Sequence, residues 1–97
     1  MTIDPAKILV VDDDPSLRSL IGAFLEAHGY RVFEADGGAS MRTILEREEV
    51  DLVILDVMMP GEDGLTLARA LASHSEVAII FVSALGSETD RIIGLEV

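Results

Sequence analysis

The sequence predicts an α/β fold, built on a doubly wound parallel sheet with strand order 2-1-3-4. Three largely apolar runs carry this prediction, at residues 7–11, 52–55 and 77–82. A run of this kind is typical of a strand that is covered on both faces, as in a parallel sheet. Segments with the apolar period of a helix alternate with these runs, which implies right-handed crossovers between parallel strands.

The first predicted strand, Lys7–Val11, leads into Asp14 and Pro15, which start a helix. Asp accepts hydrogen bonds from free amides at a helix start, and Pro fits the first turn. The helix is expected to end at His28 and Gly29, with His28 as a favourable cation near the helix end. Its core-facing side is predicted from helical spacing to contain Leu17, Leu20, Ile21, Phe24 and Leu25.

The next elements are an edge strand over 30–34, in which charged residues alternate with β-formers, and a short helix over 39–48. A third helix over 65–73 and a fourth strand over 77–82 are predicted further on. A capping pattern at 87–90 predicts a fourth helix that continues to the last residue. Its apolar face would contain Ile92, Ile93 and Leu95.

The composition describes one domain of 97 residues with a formal net charge of −11. The 18 acidic and 7 basic residues argue against binding to nucleic acid or to an anionic membrane, and fit a cation or a basic partner surface. The chain has no cysteine, which excludes a disulfide scaffold and a cysteine zinc site. With neither a signal peptide nor a membrane-spanning run, the sequence predicts a soluble, cytoplasmic protein.

Polar residues stand where three of the predicted strands end: Asp12 and Asp13 after the first, Asp56 after the third, and Ser83 after the fourth. In the order 2-1-3-4 the first and third strands are neighbours, and their carboxyl ends border the crevice where such sheets bind ligands. Three adjacent carboxylates repel strongly, and a divalent cation removes that repulsion. Oxygen ligands without His or Cys favour Mg²⁺ or Mn²⁺.

A plainer interpretation treats Asp12, Asp13 and Asp14 as anions that favour the helix start. One Asp is enough for a cap, however, and Asp56 precedes a loop rather than a helix. A carboxylate beside Mg²⁺ can attack phosphorus and form an acyl phosphate, and a hydroxyl such as that of Ser83 can bond a phosphoryl oxygen.

The segments ILVVDDDPSLR, LVILDVMMPGEDG, IIFVSA and RIIGLEV resemble the receiver domain of two-component response regulators, in the family's order, from about Ala6 to Val97. The resemblance implies a flavodoxin-like fold with Asp56 as the phosphoacceptor for a histidine kinase or phosphotransfer protein. It implies that Asp12, Asp13 and the backbone carbonyl of Met58 hold Mg²⁺. Ser83 is then the switch hydroxyl, and two further residues shape the loop beside the site: Pro60 and Gly64.

The sequence departs from the family pattern at its carboxyl end. The family has a fifth strand, a fifth helix and a catalytic lysine, whereas the only lysine here is Lys7, before the first strand. We therefore expect residues 1–97 to form a receiver domain that is incomplete at its carboxyl end. Strand 77–82 would then be an exposed edge, and self-association through that strand or through helix 87–97 is expected.

Three functions compete for this sequence. The first is a phosphoacceptor switch that is not an enzyme beyond Mg²⁺-dependent self-phosphotransfer and autodephosphorylation. The second is a receiver-fold interaction or dimerisation module without a productive phospho-switch. The third, a phosphohydrolase with an Asp nucleophile, is disfavoured because Met58 stands where such enzymes need a second acid.

Overall fold

The computed structural model describes residues 4–56, 64–74, 77–84 and 91–96. Within these residues, five strands form one sheet in the order β2-β1-β3-β4-β5. The elements in chain order are β1 (Lys7–Val11), α1 (Pro15–Ala27), β2 (Arg31–Ala35), α2 (Gly38–Arg47), β3 (Leu52–Asp56), α3 (Gly64–His74), β4 (Ala78–Ala84) and β5 (Arg91–Glu96).

Strands β1 to β4 are parallel and lie in the predicted order 2-1-3-4, with helices between them. The edge position predicted for the second strand is also confirmed. In the register of the two central strands, Val11 is opposite Leu55, so β1 and β3 end at the same level. This register brings the residues that follow β1 next to the end of β3.

One face of the sheet carries the main core. Alternate strand residues, among them Leu9, Val53 and Leu55, are fully buried beneath α2 and α3. These helices contribute Met41, Leu67 and Leu71 to the same core. Burial of such side chains is the main driving force of the fold. The same packing sets where the helices lie on the sheet.

Helix α1 covers the opposite face and approaches β2 closely at Gly22. A side chain there would begin 3.3 Å from a carboxylate oxygen of Glu34 and 3.5 Å from Val32. The helix ends as predicted, with Gly29 at a φ of 91° and the His28 ring 2.9 Å from the carbonyl oxygen of Phe24. Glycine takes this left-handed conformation without the strain that a side chain adds.

The predicted apolar face of α1 was wrong at two positions. Leu20 and Phe24 are 68% and 62% exposed. The apolar face of α1 is wider than the area that packs on β1 and β2. The edge of this face that contains Leu20 and Phe24 therefore points away from the sheet. No other helix of the described residues covers that edge.

The predicted fourth helix was also wrong over residues 91–96. These residues form β5, which pairs with β4 in antiparallel fashion, with Val82 opposite Ile93. Two adjacent isoleucines and Gly94 are poor helix formers, and pairing satisfies the backbone groups at the edge of β4. Strand 77–82 is therefore not the exposed edge expected from the sequence. The other residues of the predicted helix, 87–90 and 97, lie outside the described residues, and self-association stays a prediction.

In the described part of the chain, no helix has both the length and the apolar character needed to cross a membrane.

Candidate functional site

Asp12, Asp13 and Asp56, referred to below as the acidic site, lie together at the carboxyl ends of β1 and β3. Each residue contributes a carboxylate oxygen to a group whose members all lie within 4.8 Å of one another. Asp12 is buried, Asp13 is exposed and Asp56 is half-buried. The parallel register of the two strands therefore produces the juxtaposition that the sequence predicted.

The turn after β1 separates the cap of α1 from the acidic site. The Asp14 carboxylate accepts hydrogen bonds from the amides of Ser16 at 2.9 Å and Leu17 at 3.3 Å. Asp14 is thus the helix cap, and neither Asp12 nor Asp13 is needed for that purpose. The interpretation of all three acids as helix-start anions does not account for this arrangement.

Asp12 is held by its backbone and by its side chain. Its amide donates to the carbonyl oxygen of Ala35 at 3.0 Å, and its carboxylate accepts from the amide of Asp14 at 2.9 Å. Its own carbonyl oxygen accepts from the guanidinium of Arg18 at 2.7 Å. Contacts from β2, the turn and α1 therefore converge on this one residue.

Burial raises the pKa of the Asp12 carboxyl above its ordinary value, although the hydrogen bond from the Asp14 amide acts in the opposite direction. The negative charges of Asp56 and Asp13 and a hydrogen bond with the Asp56 side chain raise this pKa further. Two carboxylates about 5 Å apart repel by roughly 3 kcal/mol at an effective dielectric constant near 20. The acidic site thus favours a proton or a cation.

The donor set fits a hard divalent cation. Oxygen ligands around Mg²⁺ at about 2.1 Å lie roughly 3 to 4 Å from one another, close to the span of the acidic site. The buried Asp12 supplies a fixed ligand, and the exposed Asp13 leaves room for the water molecules that Mg²⁺ retains. Asp12, Asp13 and Asp56 are the residues that would hold such an ion.

Only some of the other predicted site residues lie among the described residues. Ser83 lies in β4, one residue beyond Val82, which is opposite Asp56, so its backbone is at the same end of the sheet. Gly64 is the first residue of α3. Two of the predicted residues, Met58 and Pro60, lie outside the described residues, as does the side chain of Ser83.

Arg18 was missed by the sequence prediction. It lies one turn into α1 and donates to the backbone carbonyl oxygen of Asp12, a contact that leaves no signal in the spacing of acidic residues.

Lys7 lies at the opposite end of β1, where its ammonium is 3.4 Å from the carboxylate of Glu48. The only lysine of the chain is therefore remote from the acidic site.

The family model for the response regulator receiver domain matches residues 8–97. The chain belongs to this family. Receiver domains of two-component systems bind Mg²⁺ in an acidic pocket, and the acidic site of this chain is a group of carboxylates that could hold a metal ion.

Named relatives agree with this assignment. The aerobic respiration control protein ArcA of Escherichia coli K12 is 43% identical over 90 residues, which are 93% of this chain and 38% of the relative. The transcriptional regulatory protein GltR of Pseudomonas aeruginosa is 43% identical over 99% of this chain and 41% of its own length. The chain thus spans about two fifths of the length of these relatives.

Solved structures show the same fold. The BeF3-activated receiver domain of Klebsiella pneumoniae RstA is 38% identical, with a TM-score of 0.76 over 87% of this chain and 72% of that one. A response regulator receiver protein from Pseudomonas putida is 30% identical, with a TM-score of 0.79 over 92% of this chain and 76% of that one. Both support the flavodoxin-like receiver fold.

Proposed function

We propose that this receiver domain accepts a phosphoryl group on Asp56 from the phosphohistidine of a cytoplasmic histidine kinase or phosphotransfer protein. The observation that carries the proposal is the half-buried Asp56 carboxylate at the end of β3, within 4.8 Å of the carboxylates of Asp12 and Asp13. A carboxylate so placed can reach an incoming phosphoryl group and still share a cation with two further acids.

In the proposed reaction, a carboxylate oxygen of Asp56 attacks the phosphorus atom. An O–P bond forms while the P–N bond to the donor imidazole breaks, and the bonding electron pair stays on that nitrogen. Bound Mg²⁺ would supply positive charge for the phosphoryl oxygens. Asp12 and Asp13 hold their carboxylates beside Asp56 and give the site its affinity for the ion.

The remaining roles are proposed from the resemblance and from backbone position. The hydroxyl of Ser83 bonds the phosphoryl group, and the backbone carbonyl of Met58 is a further ligand of the ion. Pro60 and Gly64 shape the loop between β3 and α3. The chemistry proposed for the domain is limited to self-phosphotransfer and hydrolysis of its own acyl phosphate.

Phosphorylation with acetyl phosphate and Mg²⁺, followed by intact-protein mass spectrometry, tests this proposal. We expect the mass of one phosphoryl group to be added to the wild type, and none to Asp56→Asn. Asp51→Asn is the matched control, because Asp51 immediately precedes the other end of the same strand and its carboxylate accepts from the amide of Lys7 at 2.7 Å. Equal labelling of Asp56→Asn and the wild type would reject Asp56.

A second candidate is an interaction module that binds Mg²⁺ without a productive switch. It is favoured by β5, whose pairing places Ser83 opposite Ile92, and by the distance of Lys7 from the acidic site. Amide exchange over residues 83–95, before and after phosphorylation, separates the two candidates. In a switch, phosphorylation changes the amide exchange rates of this segment. In an inert module, Asp56 is phosphorylated and these exchange rates stay unchanged.

A further inference from the structure

We propose that Arg18 is a positioning residue of the acidic site, a role that rests on the proposed binding of Mg²⁺ by this receiver domain. Its guanidinium holds the peptide group that joins Asp12 to Asp13. In this way a residue of α1 fixes the direction of two carboxylates that it does not touch.

The contacts of Arg18 define this role. One terminal nitrogen donates to the carbonyl oxygen of Asp12 at 2.7 Å, and Nε donates to a carboxylate oxygen of Glu34 at 3.1 Å. The Arg18 side chain is only 18% exposed. Its own amide donates to the carbonyl oxygen of Asp14 at 2.9 Å, so its backbone belongs to the first turns of α1. The guanidinium therefore links α1, β2 and the turn after β1.

The bonded carbonyl lies at a point where the sheet no longer constrains the chain. β1 ends at Val11, and the Asp12 amide makes the last bond to β2, at Ala35. The next peptide group carries the Asp12 oxygen, and Arg18 is the donor that the described residues supply to it. Without that donor the Asp12 carbonyl oxygen loses this hydrogen bond, and the orientation of the peptide group that carries the Asp13 side chain is less well fixed.

Glu34 keeps Arg18 in place, and Gly22 leaves room for Glu34. A Cβ on Gly22 would lie 3.3 Å from Oε2 of Glu34, the carboxylate whose other oxygen bonds Arg18. Glycine inside a helix is unfavourable relative to alanine, so its presence here indicates a packing requirement. The close approach of α1 to β2 at Gly22 is consistent with a fixed Glu34–Arg18 pair.

Lysine should not replace Arg18 fully. The guanidinium presents several donors in a rigid plane and reaches two acceptors at once, whereas an ammonium is a single centre on a flexible stem. Arg18→Lys retains the positive charge but removes the planar group that donates to two acceptors at once. Arg18→Gln removes both. Comparing the two variants distinguishes positioning from simple neutralisation of negative charge.

The test is the Kd for Mg²⁺, measured by calorimetry and by amide NMR shifts of Asp13 and Asp14 in the whole chain. Residues that orient metal ligands typically change affinity by about 10- to 100-fold when they are replaced. We expect Arg18→Gln to weaken Mg²⁺ binding about 10-fold, Arg18→Lys to fall between it and the wild type, and Glu34→Gln to weaken binding less. Arg47→Gln, which removes an exposed arginine in the last turn of α2, should leave the Kd unchanged.

A Kd for Arg18→Gln within twofold of the wild type would overturn the inference, as would an equal loss in Arg47→Gln. If Arg18→Gln does not fold, Arg18→Lys and Glu34→Gln decide by the same criterion. A wild type that binds Mg²⁺ but is not phosphorylated contradicts the proposed function and leaves the positioning role standing. A wild type without Mg²⁺ affinity overturns both.

Discussion

Asp12 and Asp56 are acidic residues at the carboxyl ends of two adjacent parallel strands, and their carboxylates lie within 4.8 Å of each other. The buried Asp12 makes this contact costly, because burial and its acidic neighbours both oppose its ionised form. The contact is therefore a source of instability that a bound cation relieves.

Replacing Asp12 with Asn should raise the stability of the Mg²⁺-free domain at neutral pH. The amide oxygen of Asn can still accept from the Asp14 amide, while one of the three negative charges is removed. Mg²⁺ at about 100 times its Kd should stabilise the wild type by about 2.7 kcal/mol and the variant by much less. Thermal unfolding with and without Mg²⁺ measures both effects, with the exposed Asp4→Asn as the control. Equal Mg²⁺ stabilisation of Asp12→Asn would contradict the assignment of Asp12.

The stability of the Mg²⁺-free domain should depend on pH in a direction set by Asp12. Its pKa is raised from 3.8, so between 3.8 and the raised value the folded state binds more protons than the unfolded state. Asp12 therefore lowers the free energy of unfolding as pH rises through this window. Urea unfolding at several pH values, compared between the wild type and Asp12→Asn, isolates the effect. A difference between the two that does not vary with pH would contradict it.

Asp36 should act with the opposite sign and in a lower pH window. The hydrogen bond from the Ser40 hydroxyl lowers the pKa of its carboxyl from 3.8. Its contribution to stability is present above 3.8 and is lost as pH falls through the lowered value. Ser40→Ala removes that hydrogen bond. NMR titration of the Asp36 carboxyl should then show a higher pKa than in the wild type, and an unchanged pKa would contradict the assignment.

Replacing Asp14 with Ala should destabilise the domain by about 1 kcal/mol, the usual effect of losing a helix cap. The Asp14 carboxylate accepts from two amides of the first turn of α1, and Ala offers no acceptor. Asp14→Asn retains an oxygen in the same place and should cost much less. Urea unfolding of the three proteins gives the comparison, and equal losses in both variants would show that the charge of Asp14, rather than its capping bonds, is what matters.

Replacing a leucine with alanine should cost much more stability in the core than at the exposed edge of α1. Leu67 is 0% exposed and Leu20 is 68% exposed. Leu67→Ala should cost about 2 to 5 kcal/mol, and Leu20→Ala about 0.5 kcal/mol or less, because only the first leaves a cavity. A large loss of stability in Leu20→Ala would mean that another surface covers this edge in solution.

The acidic site could be predicted because its position follows from strand order alone. Once β1 and β3 are neighbours, the residues that end them must meet, and neither Asp12 nor Asp56 needs detailed packing to be placed. Arg18 was beyond such reasoning, because its partner is a backbone oxygen whose direction depends on a turn.

Residues 91–96 were predicted wrongly for a related reason. A short segment with two isoleucines and a leucine has too few positions to distinguish a helical period from a strand period. The deciding factor is the edge of β4, whose backbone groups require partners. The exposure of Leu20 and Phe24 likewise depends on how far the sheet extends beneath α1, which the periodicity of the helix does not report.

The register that places Val11 opposite Leu55 determines which deletions and insertions leave the acidic site intact. Side chains along a strand alternate between faces, so a shift of one residue turns every later side chain to the other face. Deleting any single residue of 52–55 would move Asp56 away from Asp12 while leaving the composition almost unchanged. Insertions are tolerated far better in surface turns, such as the one at Asp36 and Gly37. The spacing within β3 is therefore under tighter constraint than the identity of its apolar residues, which can exchange among similar shapes.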